Sequence, residues 1–167
     1  MGIFDGIEQA EFFEGGKYVA PGLYLAEIIK VKQALTRKKR PFYVVEMRVL
    51  ESSNLTEHPI GTSFSWMSML DQDAALGNIK HFVSVASETP IKEVKVADAE
   101  DSCSEENPLA GVKVRVSAVN IKTKKSGYKD DFTKVTFMPE SMSAAAAAKA
   151  HADSASNEAP TGAAASA

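Results

Sequence analysis

From Leu23 to Lys32 the chain runs Leu-Tyr-Leu-Ala-Glu-Ile-Ile-Lys-Val-Lys, β-branched and aromatic residues ending in two alternating lysines. That is a strand pattern, and Pro21-Gly22 ahead of it marks a turn. In Phe42 to Leu50, Tyr43, Val45, Met47 and Val49 alternate with Phe42, Val44, Glu46 and Arg48, so a second strand is expected with the two sets on opposite faces. The joining segment, Leu35 to Pro41, is nearly all cationic and reads as an exposed hairpin tip. A third strand is expected over Ile60 to Met69, with Phe64 and Trp66 on one side and Met67 and Met69 on the other. The period then changes: Ala75, Ile79, Phe82, Val83 and Ala86 recur at three- and four-residue spacing, predicting a helix that ends near Ser87, with Asp71 as its N-cap. Pro90 stops it, and Ile91 to Asn107 is an acidic connection with at most a short helical turn or strand fragment. A fourth strand places Val112, Val114, Val116 and Ala118 inward and Lys113, Arg115 and Ser117 outward. The fifth, Phe132 to Phe137, follows a Ser126-Gly127 turn.

Three meandering strands, a helix and a two-strand hairpin is the element order of the OB-fold. The expected class is therefore mainly β, a five-stranded Greek-key barrel with one helix between strands 3 and 4. Residues 1–17 form an N-terminal arm and 18–140 the barrel domain. From 141 to 167 the chain has 13 alanines in 27 residues and no large apolar residue beyond Met142, so a disordered Ala-rich tail is expected, with at most a turn or two of helix over Ala144 to Ala152.

Composition adds bounds. The 167 residues are 44% hydrophobic, with 10 glycines and a single cysteine, which fits one small globular domain and excludes disordered, collagen-like and disulfide-scaffold classes. No run approaches the roughly 20 apolar residues of a membrane span and the start lacks a secretory signal, so a cytoplasmic protein without membrane contact is expected. Cys103, among acids, is an incidental thiol.

Charge changes the picture more. The 19 Lys+Arg and 22 Asp+Glu nearly balance, yet seven cations (Lys30, Lys32, Arg37, Lys38, Lys39, Arg40, Arg48) lie between Ile28 and Arg48, and seven more (Lys113, Arg115, Lys122, Lys124, Lys125, Lys129, Lys134) between Lys113 and Lys134. Glu88 to Glu106 carries seven acids against two lysines. Such segregation builds a positive face and points to a polyanionic partner. Both cationic windows cover hairpins, and six aromatics accompany them: Phe42, Tyr43, Phe64, Trp66, Tyr128 and Phe132. Cations for phosphates and rings for bases are the two ingredients of single-strand binding. At least half of those rings are expected in the core, as aromatics on strands usually are.

Pro21-Gly22-Leu-Tyr-Leu-Ala-Glu-Ile, the basic turn, Phe42 to Glu51, Pro59-Ile-Gly61, Gly77-Asn-Ile-Lys-His-Phe82 and Leu109-Ala-Gly111-Val-Lys-Val-Arg-Val together resemble bacteriophage single-stranded DNA-binding proteins of the OB-fold type, over Tyr18 to Pro139. The resemblance implies a replication or recombination protein in the host cytoplasm that coats single strands without sequence preference. It departs from the family at the end, where Asn157 to Ala167 holds one acid, Glu158, rather than an acidic tip, so recruitment of replication or recombination proteins through the tail is not carried over.

No phosphate-binding glycine loop, dinucleotide fingerprint or zinc-protease motif occurs, and His58, His81 and His151 are scattered. No enzyme activity, metal or cofactor is expected. Asp130-Asp131 is read as solvated pairing with neighbouring lysines, and Asp71 and Asp73 as helix-start acids. The expected site is Lys30, Lys32, Arg37, Lys38, Lys39, Arg40, Arg115, Lys122, Lys124, Lys125, Lys129 and Lys134 with some of the six rings. Two alternatives stand beside it: a virion assembly protein using the barrel for protein contacts, and a cold-shock-like module for single-stranded RNA. A barrel this small can also pair through a strand edge into a homodimer.

Overall fold

The computed structural model describes residues 17–121 and 132–156. Its strands are β1 (Lys17–Tyr18), β2 (Gly22–Leu35), β3 (Pro41–Ser52), β4 (Ser63–Met69), β5 (Lys113–Ile121) and β6 (Phe132–Pro139). They form one curled sheet in the order β1-β4-β3-β2-β5-β6, antiparallel except where β1 lies parallel to Phe64–Ser65 of β4. Three helices accompany it, α1 (Ala75–Ser87), α2 (Val96–Ser102) and α3 (Ala144–Ser156), with a short 3-10 turn at Ile91–Glu93. The fold is mainly β, with six strands rather than five because β1 extends the sheet beside β4.

Alternation decides the inner face. Tyr24, Ala26 and Ile28 of β2, the four predicted β3 residues from Tyr43 to Val49, Phe64 and Trp66 of β4, and Val114, Val116 and Ala118 of β5 are all buried. Helix α1 lays Ile79, Phe82, Val83 and Ala86 against them. The centre is aromatic: Trp66 lies 5.1 Å from Phe137 and 5.8 Å from Phe82, and Phe82 4.9 Å from Phe137, between ring centroids. Each buried ring contributes roughly 1.5–3 kcal/mol of transfer free energy, and edge-on geometry adds to it. These rings also span the seam where β4 and β6, the two ends of the main sheet, approach without a ladder of their own.

Gly22 is required by a close approach. A Cβ there would lie 2.6 Å from the Tyr24 hydroxyl, which is held by donating to the Ala20 carbonyl at 2.7 Å.

A bulge overturns one expectation on β2. The face Tyr24, Ala26, Ile28 does not continue to Lys30, because the pairing with β3 shifts between Ile28 and Lys30 and leaves Ile29 as the extra residue. Val31 takes the inward position, and Lys30 and Lys32 lie half-buried on the other face. The bulge is fastened from outside the sheet: Ile28 donates to the Val112 carbonyl (2.8 Å), Gly111 to the Ile28 carbonyl (2.7 Å) and Val31 to Asn107 Oδ1 (2.6 Å).

Helix α1 starts at Ala75 with no side-chain cap, so Asp71 is not its N-cap. It ends as expected, with Glu88 left-handed (φ 55°) and Thr89 donating to the Ser84 carbonyl. The acidic connection holds more helix than expected. Asp98 accepts from the Lys95 backbone at 2.7 Å to start α2, whose Ser102 is buried against the Tyr43 hydroxyl at 2.7 Å.

The expected disordered tail is corrected as far as Ser156, since 144–156 form α3. Ser143 caps it, its Oγ accepting from Ala146 at 3.1 Å. Ala147 is fully buried, and His151 Nδ1 meets Ser117 Oγ on β5 at 2.7 Å. Docking supplies what an isolated Ala-rich helix of this length lacks in water. Ser117, expected to face solvent, is buried beneath it. Residues 157–167 lie outside the described residues.

Candidate nucleic-acid interface

The outer face of β2, β3 and β4 is a set of cross-strand rows: Glu27–Arg48–Ser63, Lys30–Glu46–Ser65, Lys32–Val44–Met67 and Ala34–Phe42–Met69. Arg48 is exposed. Lys32 is partly engaged, its Nζ 3.6 Å from the Glu46 carboxylate. Past Leu35 the chain closes a turn in which Lys39 donates to the Thr36 carbonyl and Thr36 to that of Arg40, with Lys39 left-handed at φ 59°. The turn presents Arg37, Lys38 and Lys39 to solvent, and among the described residues none of the three has an acidic partner.

Arg40 does not join them. Its guanidinium grips Asp71 with two bonds, Nε to Oδ2 at 2.7 Å and a terminal nitrogen to Oδ1 at 3.0 Å. That hydrogen bond holds the Asp71 carboxyl below the ordinary carboxylate range. The pair ties the hairpin to the turn before α1.

Arg115 is also removed from the expected site. Its side chain is only 14% exposed, donates Nε to the Met142 carbonyl at 2.8 Å and lies 3.9 Å from Glu51, so it positions the chain leading into α3. Tyr43, Phe64 and Trp66 are buried in the core and offer no face to a base. With these three of six, the expectation that at least half the rings are core holds. Phe42 is half-buried on the outer face, next to Ala34 and Met69. Lys134 is exposed on β6. Phe132 opens β6, opposite Ile121; Lys122, Lys124, Lys125, Tyr128 and Lys129, with Asp130 and Asp131, lie outside the described residues.

Register separates the two hairpins. The β2–β3 tip follows Leu35, whereas β5 runs toward the start of β2, with Ala118 opposite Gly22. The hairpins therefore leave the sheet at opposite ends of the 14-residue β2, with the outer face of β2–β4 between them.

No protein-family model matches this chain, and no curated protein is similar to it.

One residue carried no sequence signal. His58, in the β3–β4 connection, is 1% exposed, packs on Phe64 (4.9 Å) and Tyr24 (5.4 Å), and accepts through Nε2 from the Ala20 backbone at 2.9 Å. An accepting Nε2 requires the neutral ring. Burial first, and then the nearby Lys17 ammonium, hold its pKa below the ordinary histidine value, with Glu57 opposing. Burial likewise pushes the Tyr24 phenol up to about 12 and the half-buried Cys103 thiol up. His58 thus pins the Val19–Ala20 segment beside β4, a structural task. Among the described residues no three metal-ligating side chains converge, and no helix is long and apolar enough to cross a membrane.

Proposed function

We propose that this chain binds single-stranded DNA without sequence preference, along the outer face of β2, β3 and β4 and over the hairpin tip, as a replication or recombination protein of phage type. The observation that carries the reading is the run Arg37, Lys38, Lys39 at the tip, continued by Arg48 on the same hairpin. These four exposed cations have no acidic partner among the described residues, in a chain whose net charge is −3. The strand order β4-β3-β2-β5-β6, with a helix between β4 and β5, supports an OB-like barrel, a fold that takes oligonucleotides on this face.

Affinity comes from released counterions. Lys30, Lys32 and Lys134 add to the four free cations, and Phe42, Met67 and Met69 supply the apolar surface against which bases lie. Tight stacking sites are few, which suits a binder indifferent to sequence. If about six phosphates are neutralised, the log–log salt slope is about −4.

The test is a mobility shift with oligo-dT, a duplex of equal length and the matching RNA across a salt series. Preference for single strands with a steep salt slope supports the reading. A flat salt profile, or no shift with any nucleic acid, overturns it. The exposed Leu35, Ile60, Leu76 and Val96 favour a second reading, assembly through protein contacts, which predicts stable oligomers and no nucleic-acid shift.

A further inference from the structure

The seam between β4 and β6 opens into a cleft of about 640 Å³, floored by Trp66 and walled by α1. That volume lies within the range of small-molecule sites, about 300–1,000 Å³. Five of its groups have a chemistry that no side-chain hydrogen bond or ion pair among the described residues uses. Trp66 is 5% exposed, yet among the described residues its indole N–H has no acceptor. A buried donor without a partner carries a desolvation cost that an incoming acceptor removes. At the rim, Tyr18 and Met67 are 44% and 41% exposed, an aromatic face and a polarisable thioether on the same opening. The amide of Asn78 faces the cleft from α1, exposed and unbonded among the described residues, and Lys134 stands beside it with no acidic partner there.

We propose that this cleft is a nucleotide subsite: one base of the bound strand enters between Tyr18 and Met67, its polar edge meets the Trp66 N–H and the Asn78 amide, and Lys134 takes the adjoining phosphate. The inference rests on the single-strand reading above. It also extends the strand's path around the β4 edge, beyond the outer face.

An added peptide strand is the obvious competitor, and both edges are partly occupied against it. β1 covers β4 at Phe64–Ser65, with Val19 donating to the Ser65 carbonyl. On β6, His81 Nε2 sits 3.0 Å from the Phe137 carbonyl and 3.3 Å from its nitrogen, capping the edge there. Trp66–Met69 of β4 and Phe132–Thr136 of β6 remain, so a peptide is the competing outcome of the titration.

Trp66 is the only tryptophan, so its emission reports on the cleft. The full chain is titrated with thymidine monophosphate, inorganic phosphate, an extended Val/Thr-rich peptide and oligo-dT. The nucleotide and the oligomer are expected to quench Trp66, and phosphate and peptide are not. Tyr18→Ala should lower oligo-dT affinity about tenfold, one stacked base, with the salt slope unchanged. Asn78→Ala, on an exposed helix position independent of β1, should weaken nucleotide binding several-fold. Lys134→Ala should flatten the slope by about one phosphate contact. Tight oligo-dT binding with unchanged Trp66 emission and no effect of Tyr18→Ala or Asn78→Ala overturns the subsite while leaving the single-strand reading standing. Absence of any oligo-dT shift removes both, and quenching by the peptide but not the nucleotide assigns the cleft to a protein partner.

Discussion

β3 and β5 show the same alternation on the same curled sheet, yet their outer faces end differently. On β3 Arg48 is exposed and Phe42 and Glu46 are half-buried, with Val44 alone buried among them, and the hairpin beyond presents three cations that have no acidic partner among the described residues. On β5 the outward Ser117 lies beneath α3, bonded to His151, and Arg115 is pinned to the Met142 carbonyl just before that helix. The difference teaches that a cation's position in a strand pattern does not settle its role. What settles it is whether another element of the chain lies over the face.

The largest expected effect separates the two faces directly. Charge reversal at the tip, Arg37→Glu with Lys38→Glu and Lys39→Glu, should cut oligo-dT affinity on the order of 100-fold and flatten the salt slope by about two, while Lys149→Glu on α3 leaves both unchanged. Equal losses in the two variants would mean that total charge, not the uncovered face, governs binding.

Next in size is Ala147→Asp, which places a carboxylate where no exposed surface remains. It should cost about 2–4 kcal/mol or undock α3, seen as a lower Tm, with oligo-dT affinity retained because α3 docks on β5 beside the start of β2, away from the hairpin tip. A parallel loss of affinity would join the two faces functionally.

A pH titration sharpens the contrast further. His58 has a folded pKa below its unfolded value, so the unfolded chain takes the proton first: its contribution to stability is complete above about pH 6.5 and is lost as pH falls toward the lowered folded value. His58→Gln, which can still accept from Ala20, should flatten that acid limb of the urea-denaturation profile, and binding by the tip should be indifferent to the change. The smallest effect is expected from Asp71→Asn, which weakens the hold on Arg40 and lets it join the tip. Affinity should rise about twofold at low salt with Tm nearly unchanged, as for other exposed ion pairs.

Much of this was legible in advance wherever one period decided the outcome. The inward sets of β3 and β4, the buried stripe of α1 and the cationic tip each follow from residues within a few positions of one another. Other features depend on partners far along the chain. Lys30 leaves the Tyr24 face because a bulge is fastened by Asn107 and Gly111, some 80 residues on. Asp71 is held by Arg40, and α1 begins three residues beyond the place an Asp71 cap would set. The alanine tract is helical because Ser117 and Arg115 are waiting for it, and His58 is buried without any periodicity to announce it. Of the expected site, Arg37, Lys38 and Lys39 have no acidic partner among the described residues, Lys30 and Lys32 share their face with Glu46, and Arg40, Arg115, Tyr43, Phe64 and Trp66 serve the fold.

The cap that His81 places on Phe137 also bears on how the molecule behaves in a crowded solution. An outermost strand is a template on which another chain can continue the ladder, and β6 is outermost in its sheet. One imidazole occupies that template at Phe137, and Lys134 puts a charge in the stretch that remains. His81 thus narrows the stretch of β6 on which another chain can continue the ladder, a contribution to staying dispersed that is independent of what the protein binds.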